Sequence, residues 1–179
     1  MSQAAQAFNR SIKDAEELLA RFDEEKTICS DRNPETLKRA GLIMALAAWE
    51  TYVKDRVCEE FDVWLRSVDG SPVSKFIRKR LAEDLKRFFN PNSEKTRRLF
   101  LDYFEVDITH GWAWDNYDVS QAKKTLDSFI SKRGDAAHKA NTSPKSNGDP
   151  HLVKRDELEK AIRFLKGLVA ASDLVKLAK

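Results

Sequence analysis

Three histidines stand in the chain, and each can carry a proton near neutral pH, where imidazole titrates. His138 follows Arg133 by five positions, in the run Lys132-Arg133-Gly134-Asp135-Ala136-Ala137-His138-Lys139. An imidazole can take a proton from a ribose 2′-hydroxyl, and a guanidinium can hold the phosphate oxygens that gain charge as that hydroxyl attacks phosphorus. Those two groups suffice for RNA scission without a metal, and a DNA strand, which lacks the nucleophile, should resist it. Gly134 predicts a break or kink in the helix between the pair, an arrangement that aims both side chains into one cleft. As a bare pattern, the same residues also fit a surface Arg and His bracketing a turn.

The neighbours of this pair offer supporting chemistry. Asp135 can cap a fresh helical turn after Gly134, or orient the His138 imidazole. Lys132 and Lys139 flank the motif and are candidates to bind phosphate, although flanking lysines are commonly only solvated. Glu50 sits on an otherwise apolar turn of an earlier helix, from which it can reach the motif, with a structural hydrogen bond as its expected job. His110 lies near Asp107 and Asp115, yet the ligand count for a metal site is not there, so neither metal nor cofactor is expected. His151 falls in a polar stretch that suits exposure to water. Trp112 and Trp114 can stack on bases, but core burial is the stronger expectation for such large apolar groups.

Six helices are needed to position these residues. Phe8, Ile12, Ala15, Leu19 and Phe22 recur at helical spacing, giving a first helix over roughly residues 3 to 26. Asn33 and Pro34 announce the second as cap and first residue. Its apolar face runs from Leu42 through Leu46, Trp49, Val53, Val57, Phe61 and Trp64 to Val68, and a second stripe of Ile43, Met44, Ala47 and Ala48 widens it. This long helix is therefore the expected centre of a bundle. Ser71 and Pro72 start a basic helix over 73–89, the Asn90-Pro91-Asn92-Ser93 break leads to a short helix begun by Ser93, and 107–118 reads as an ordered loop. Ser120 is the expected cap of the fifth helix; 141–150 has loop composition; and a last amphipathic helix runs from Val153 to about Lys176.

With 179 residues, 41% hydrophobic and 34% charged, the chain suits one all-α domain over 1–179, and six glycines and five prolines are too few for a sheet-rich fold. The net charge of +3 does not by itself announce nucleic acid, but its distribution is uneven. Residues 73–98 hold nine basic and three acidic side chains, a net of +6, and residues 132–179 hold eleven and six, a net of +5. Such clustering fits a phosphate-binding face, or simply solvated helix surfaces. Cys29 and Cys58 make no disulfide framework or zinc pattern, and the most apolar run, 40–49, is too short to span a bilayer; a cytoplasmic protein with no membrane partner is expected.

The blocks LIMALAAWETYVKDRVCEEF, NPNSEKTRRLFLDYFEVDITHGWAW and SKRGDAAHK, in that order, resemble the RiboL-PSP branch of the HEPN superfamily over roughly residues 35 to 175. The family carries a WExY helix, an Asn-Ser-Glu segment leading to a Phe-rich helix and tryptophan loop, and a terminal Arg-x4-His motif. The resemblance implies a HEPN-like helical bundle with one long central helix. It also implies a homodimer that brings two motifs together across a two-fold cleft, with Arg133 and His138 at catalytic positions and RNA as substrate. A defence or toxin–antitoxin role, with an antitoxin or other regulatory protein as partner, is the corresponding cellular expectation; a non-catalytic module binding RNA, a nucleotide or a protein is the alternative. Two positions depart from the family pattern: Gly134 stands where a polar residue often follows the Arg, and Lys139 where Gly often follows the His.

Overall fold

The computed structural model describes residues 1–28, 34–138 and 153–177; the side chains of Ala137 and His138 lie outside the described set, as do Cys29, Asn33, Lys139, His151 and the 141–150 stretch. Among the described residues the chain is all-α: α1 (Gln3–Ile28), α2 (Glu35–Trp64), α3 (Pro72–Lys86), α4 (Ser93–Phe104), α5 (Val119–His138) and α6 (Arg155–Asp173), with short 3-10 turns at Leu65–Val68 and Ile108–Gly111. The 30-residue α2 is the central element, packed against α1, α5 and α6. Its Leu42, Leu46, Trp49, Val53 and Val57 are fully buried at the predicted spacing, but Trp64, its last residue, and Val68, at the end of the following 3-10 turn, are exposed. Of the second stripe Ala48 is buried, whereas Met44 is exposed. Gly41 lets α6 approach: a Cβ there would lie 2.7 Å from the Leu158 side chain.

Trp49 holds the centre together. Its ring stacks on Tyr52 at 5.6 Å between centroids and meets Trp112 edge-on at 6.0 Å. Its indole N–H donates to the Pro91 carbonyl at 2.9 Å, so the turn between α3 and α4 is tied to the middle of α2. Trp112, also fully buried, donates to the Ser172 hydroxyl on α6 at 2.8 Å, and so fixes the tryptophan loop as ordered structure.

At α4 and α5 the cap differs from expectation by a residue or two, because another side chain supplies the acceptor. Ser71 caps α3 as predicted, accepting from Ser74 N, with Pro72 at the first helical position. α4 is capped by Asn92, which accepts from Lys95 N at 2.8 Å, and not by Ser93. Asp118, not Ser120, caps α5: it accepts from Gln121 N at 2.8 Å while Gln121 accepts from Asp118 N at 3.1 Å. Pro34 stands just before α2 with no side-chain cap of its own.

The larger correction concerns Gly134. α5 runs unbroken through it to His138, so there is neither a break nor a fresh turn for Asp135 to cap. A single glycine costs a helix only about 1 kcal/mol relative to alanine, too little to end one whose buried Ala122, Leu126, Phe129 and Ala136 anchor it on both sides of the glycine. A Cβ at 134 would meet nothing within 4 Å. Gly134→Ala is therefore expected to stabilise the protein by about 0.5–1 kcal/mol, read as a higher urea midpoint at unchanged m-value. Destabilisation would mean that the helix needs glycine here after all.

Candidate active site around Arg133

Glu50 follows Trp49 in α2, about 100° further around the helix, which carries it from the core to the rim facing α5. The chain leaving α3 passes this rim as Phe89 and Asn90, and Asn90 adopts a left-handed conformation at φ 50°, which asparagine tolerates better than most residues. This turn aims the Asn90 backbone N–H at Glu50 Oε2, 3.1 Å away. Arg133 reaches the same place from α5: its Nη1 donates to Asn90 Oδ1 and lies 3.4 Å from Glu50 Oε2. Lys54, one turn beyond Glu50, donates to Oε1 at 2.9 Å and lies over the Phe89 ring at 5.2 Å. Two further bonds brace the framework, because Asp127 on α5 accepts from Ser93 N at 2.7 Å and from its hydroxyl at 2.8 Å. Three separate segments thus converge on one guanidinium whose side chain is 22% exposed.

Burial pushes the Glu50 carboxyl up, but the Lys54 hydrogen bond, the Asn90 N–H and the Lys54 and Arg133 charges together outweigh it and hold the group below its ordinary value. Glu50 is an anion at neutral pH. Glu157 follows the same pattern: burial raises it, while Lys132 and the Lys154 N–H lower it further. A carboxylate with a depressed folded value adds stability that is fully present above its unfolded value, about 4.3, and is lost as pH falls through the folded one. The urea midpoint is expected to stay level from neutral pH down to about 5 and to fall below about 4.3. Glu50→Gln should flatten part of that fall; an unchanged acid limb in the variant would remove Glu50 from the account.

Other expected site residues are placed as follows. Lys132 pairs with Glu157, whose other oxygen accepts from Lys154 N at the start of α6, so its charge is already engaged in tethering α5 to α6. Asp135 is a partly buried residue inside α5. Position 138 closes α5, and along a continuous helix it stands about 140° around the axis and about 7.5 Å beyond position 133. The His138 side chain and Lys139 lie outside the described residues. His110 is largely exposed, with Nε2 3.4 Å from Asp107. Trp114 and Tyr117, half-buried, pack over Phe164 on α6. Sequence reasoning missed Asn90 as a site residue; the Asn-Pro dipeptide signalled only a turn, with nothing to show that the turn would fold onto Arg133.

A partly exposed guanidinium, oriented by a carboxylate and an amide, can present its remaining N–H groups to a phosphate with fixed geometry. Among the described residues no cluster of three or more His, Cys, Asp or Glu side chains could hold a metal ion, and no helix is long and apolar enough to cross a membrane.

A family model described as RiboL-PSP-HEPN matches residues 7–175, nearly the whole chain. No curated protein and no solved structure matches it.

Proposed function

The chain belongs to the RiboL-PSP-HEPN family, and on that footing we propose that it is a metal-independent RNA endonuclease acting as a homodimer. The observation that carries this reading is the fixing of Arg133, first residue of the Arg-x4-His motif, by Glu50 and Asn90. In the proposed reaction Arg133 holds the scissile phosphate, and His138 is general base toward the 2′-hydroxyl or general acid toward the leaving oxygen. The 2′-oxygen bonds to phosphorus and the bond to the 5′-oxygen breaks, leaving a 2′,3′-cyclic phosphate on one product and a 5′-hydroxyl on the other. Positions 133 and 138 occupy different flanks of α5, so two α5 ends meeting across a two-fold axis would offer one phosphate an Arg133 from one copy and a His138 from the other. A role in defence or as a toxin held by a regulatory protein extends this reading by family analogy alone.

A second reading, a non-catalytic RNA-binding module, is favoured by one specific feature. Glu50, an anion, already lies against the Arg133 guanidinium and would repel a phosphate placed beside it. Labelled RNA incubated with the protein in EDTA separates the two. Cleavage to cyclic-phosphate ends that disappears in His138→Ala supports the nuclease; RNA binding by both proteins with no cutting by either overturns it.

A further inference from the structure

Beside the Arg133 cluster lies a groove of about 410 Å³ between α3 and α4. Its cations outnumber its effective anions. Asp84 is engaged twice, accepting from the Tyr103 hydroxyl at 2.7 Å and pairing with Arg80 at 3.3 Å, so that pair cancels. Arg98 has only a 3.9 Å approach to Glu94, a carboxylate already taken by two Arg97 N–H groups. Arg87 has no ion pair among the described residues. Lys95 donates to a neutral group, the Phe89 carbonyl, at 2.9 Å. Arg87, Lys95 and Arg98 therefore face the groove with Asp102 as the one acid left to oppose them, and Phe88, Leu99 and Tyr103 give it an apolar floor.

The groove is joined to the candidate site by a single step of chain. Lys95 holds the carbonyl of Phe89, and the next residue, Asn90, holds Arg133. A line of positive charge thus runs from Arg133 across the Asn90 turn to Lys95, Arg98 and Arg87, drawn from the two most basic stretches of the sequence.

Building on the RNA-directed reading above, we propose that the α3–α4 groove is the binding track for single-stranded RNA flanking the cut, with Lys95, Arg98 and Arg87 on successive phosphates and a base on the Phe88–Tyr103 floor. Arginine and lysine aligned over an aromatic floor are what a flexible polyanion with stacking bases requires, and no sequence preference follows from such an arrangement.

The test uses a 2′-O-methyl RNA oligonucleotide, which can bind but cannot be cut, with fluorescence anisotropy read across a salt series. Arg87→Gln and Arg98→Gln replace exposed side chains, so circular dichroism and thermal midpoint should match the parent. Removing one cation from a phosphate should lower the slope of log affinity against log salt by about 0.7, and the double variant should bind about tenfold or more weakly at low salt. An unchanged slope in the double variant overturns the track. So does weakened binding confined to Arg163→Gln, which would move RNA to the groove lined by Trp114 and Tyr117. Cleavage with an indifferent slope sinks the track and leaves the nuclease; a slope that falls as expected in a protein that never cuts keeps the track and sinks the nuclease.

Discussion

Arg133→Ala is expected to slow RNA cleavage by about 10²–10³-fold while leaving the fold in place, the effect of removing one donor aimed at charge that develops in the transition state. The stability cost should be small. Glu50 is deprived of the Arg133 guanidinium but keeps the Lys54 ammonium and the Asn90 N–H, so no uncompensated charge is left on the rim. About 1 kcal/mol, a fall of roughly 2–4 °C in Tm, is the expected scale. Arg133→Lys is the sharper variant, because it keeps the charge and loses the planar fork that can hold Asn90 and a phosphate oxygen together. If the lysine protein cuts at the parental rate, the guanidinium acts only as a point charge and its fixing by Glu50 and Asn90 has no bearing on the reaction. Glu50→Gln tests that fixing from the other side. As a positioning residue it should raise KM or lower kcat less than Arg133→Ala does, while altering the acid limb of stability in the same protein.

The helices are legible in the sequence because their signal is carried by many residues at once. The stripe from Leu42 to Val57 is buried in register, and no single misleading residue could displace α2. Cap residues are harder, because Asn92, Ser93, Asp118 and Ser120 are all competent acceptors, and tertiary packing chooses among them. Ser93 yields the capping role to Asn92 and takes Asp127 as partner instead. Gly134 misleads because its intrinsic cost is about 1 kcal/mol, a quantity that flanking burial easily overrides. At the site, the sequence marks Arg133 and Glu50 individually. Their meeting point is not legible, because Asn90 reaches it through a left-handed turn 40 residues away from Glu50 and 43 from Arg133. The charge bias of 73–98 is plain in the sequence. Which of its cations stay free of carboxylates depends on pairings such as Arg80 with Asp84, and those exist only in the folded chain.

The largest stability effect is expected at Trp49. Trp49→Ala should cost about 3–5 kcal/mol, the usual range for emptying a buried aromatic site, because at the centre of the bundle Trp112 would lose the ring it meets edge-on and Tyr52 would lose its stacked ring, keeping the edge-on Phe8. Its consequences should extend beyond stability. The indole N–H is the bond that ties the Pro91 carbonyl to α2, and Asn90, one residue earlier, is the acceptor that orients Arg133. Trp49→Phe separates the two effects: it retains most of the apolar volume, removes the donor and leaves a buried carbonyl unmet, at a cost of about 1–3 kcal/mol. In that variant the protein should remain folded at room temperature, yet the amide of Asn90 should exchange with solvent faster, and cleavage should weaken at saturating RNA. Slowed cleavage with an unaltered Asn90 exchange rate would show that the core and the Arg133 cluster are not coupled through this turn. Reduced stability alone, with exchange and cleavage both parental, would assign Trp49 to the core and leave the Asn90 turn to be held by Glu50 and Lys95.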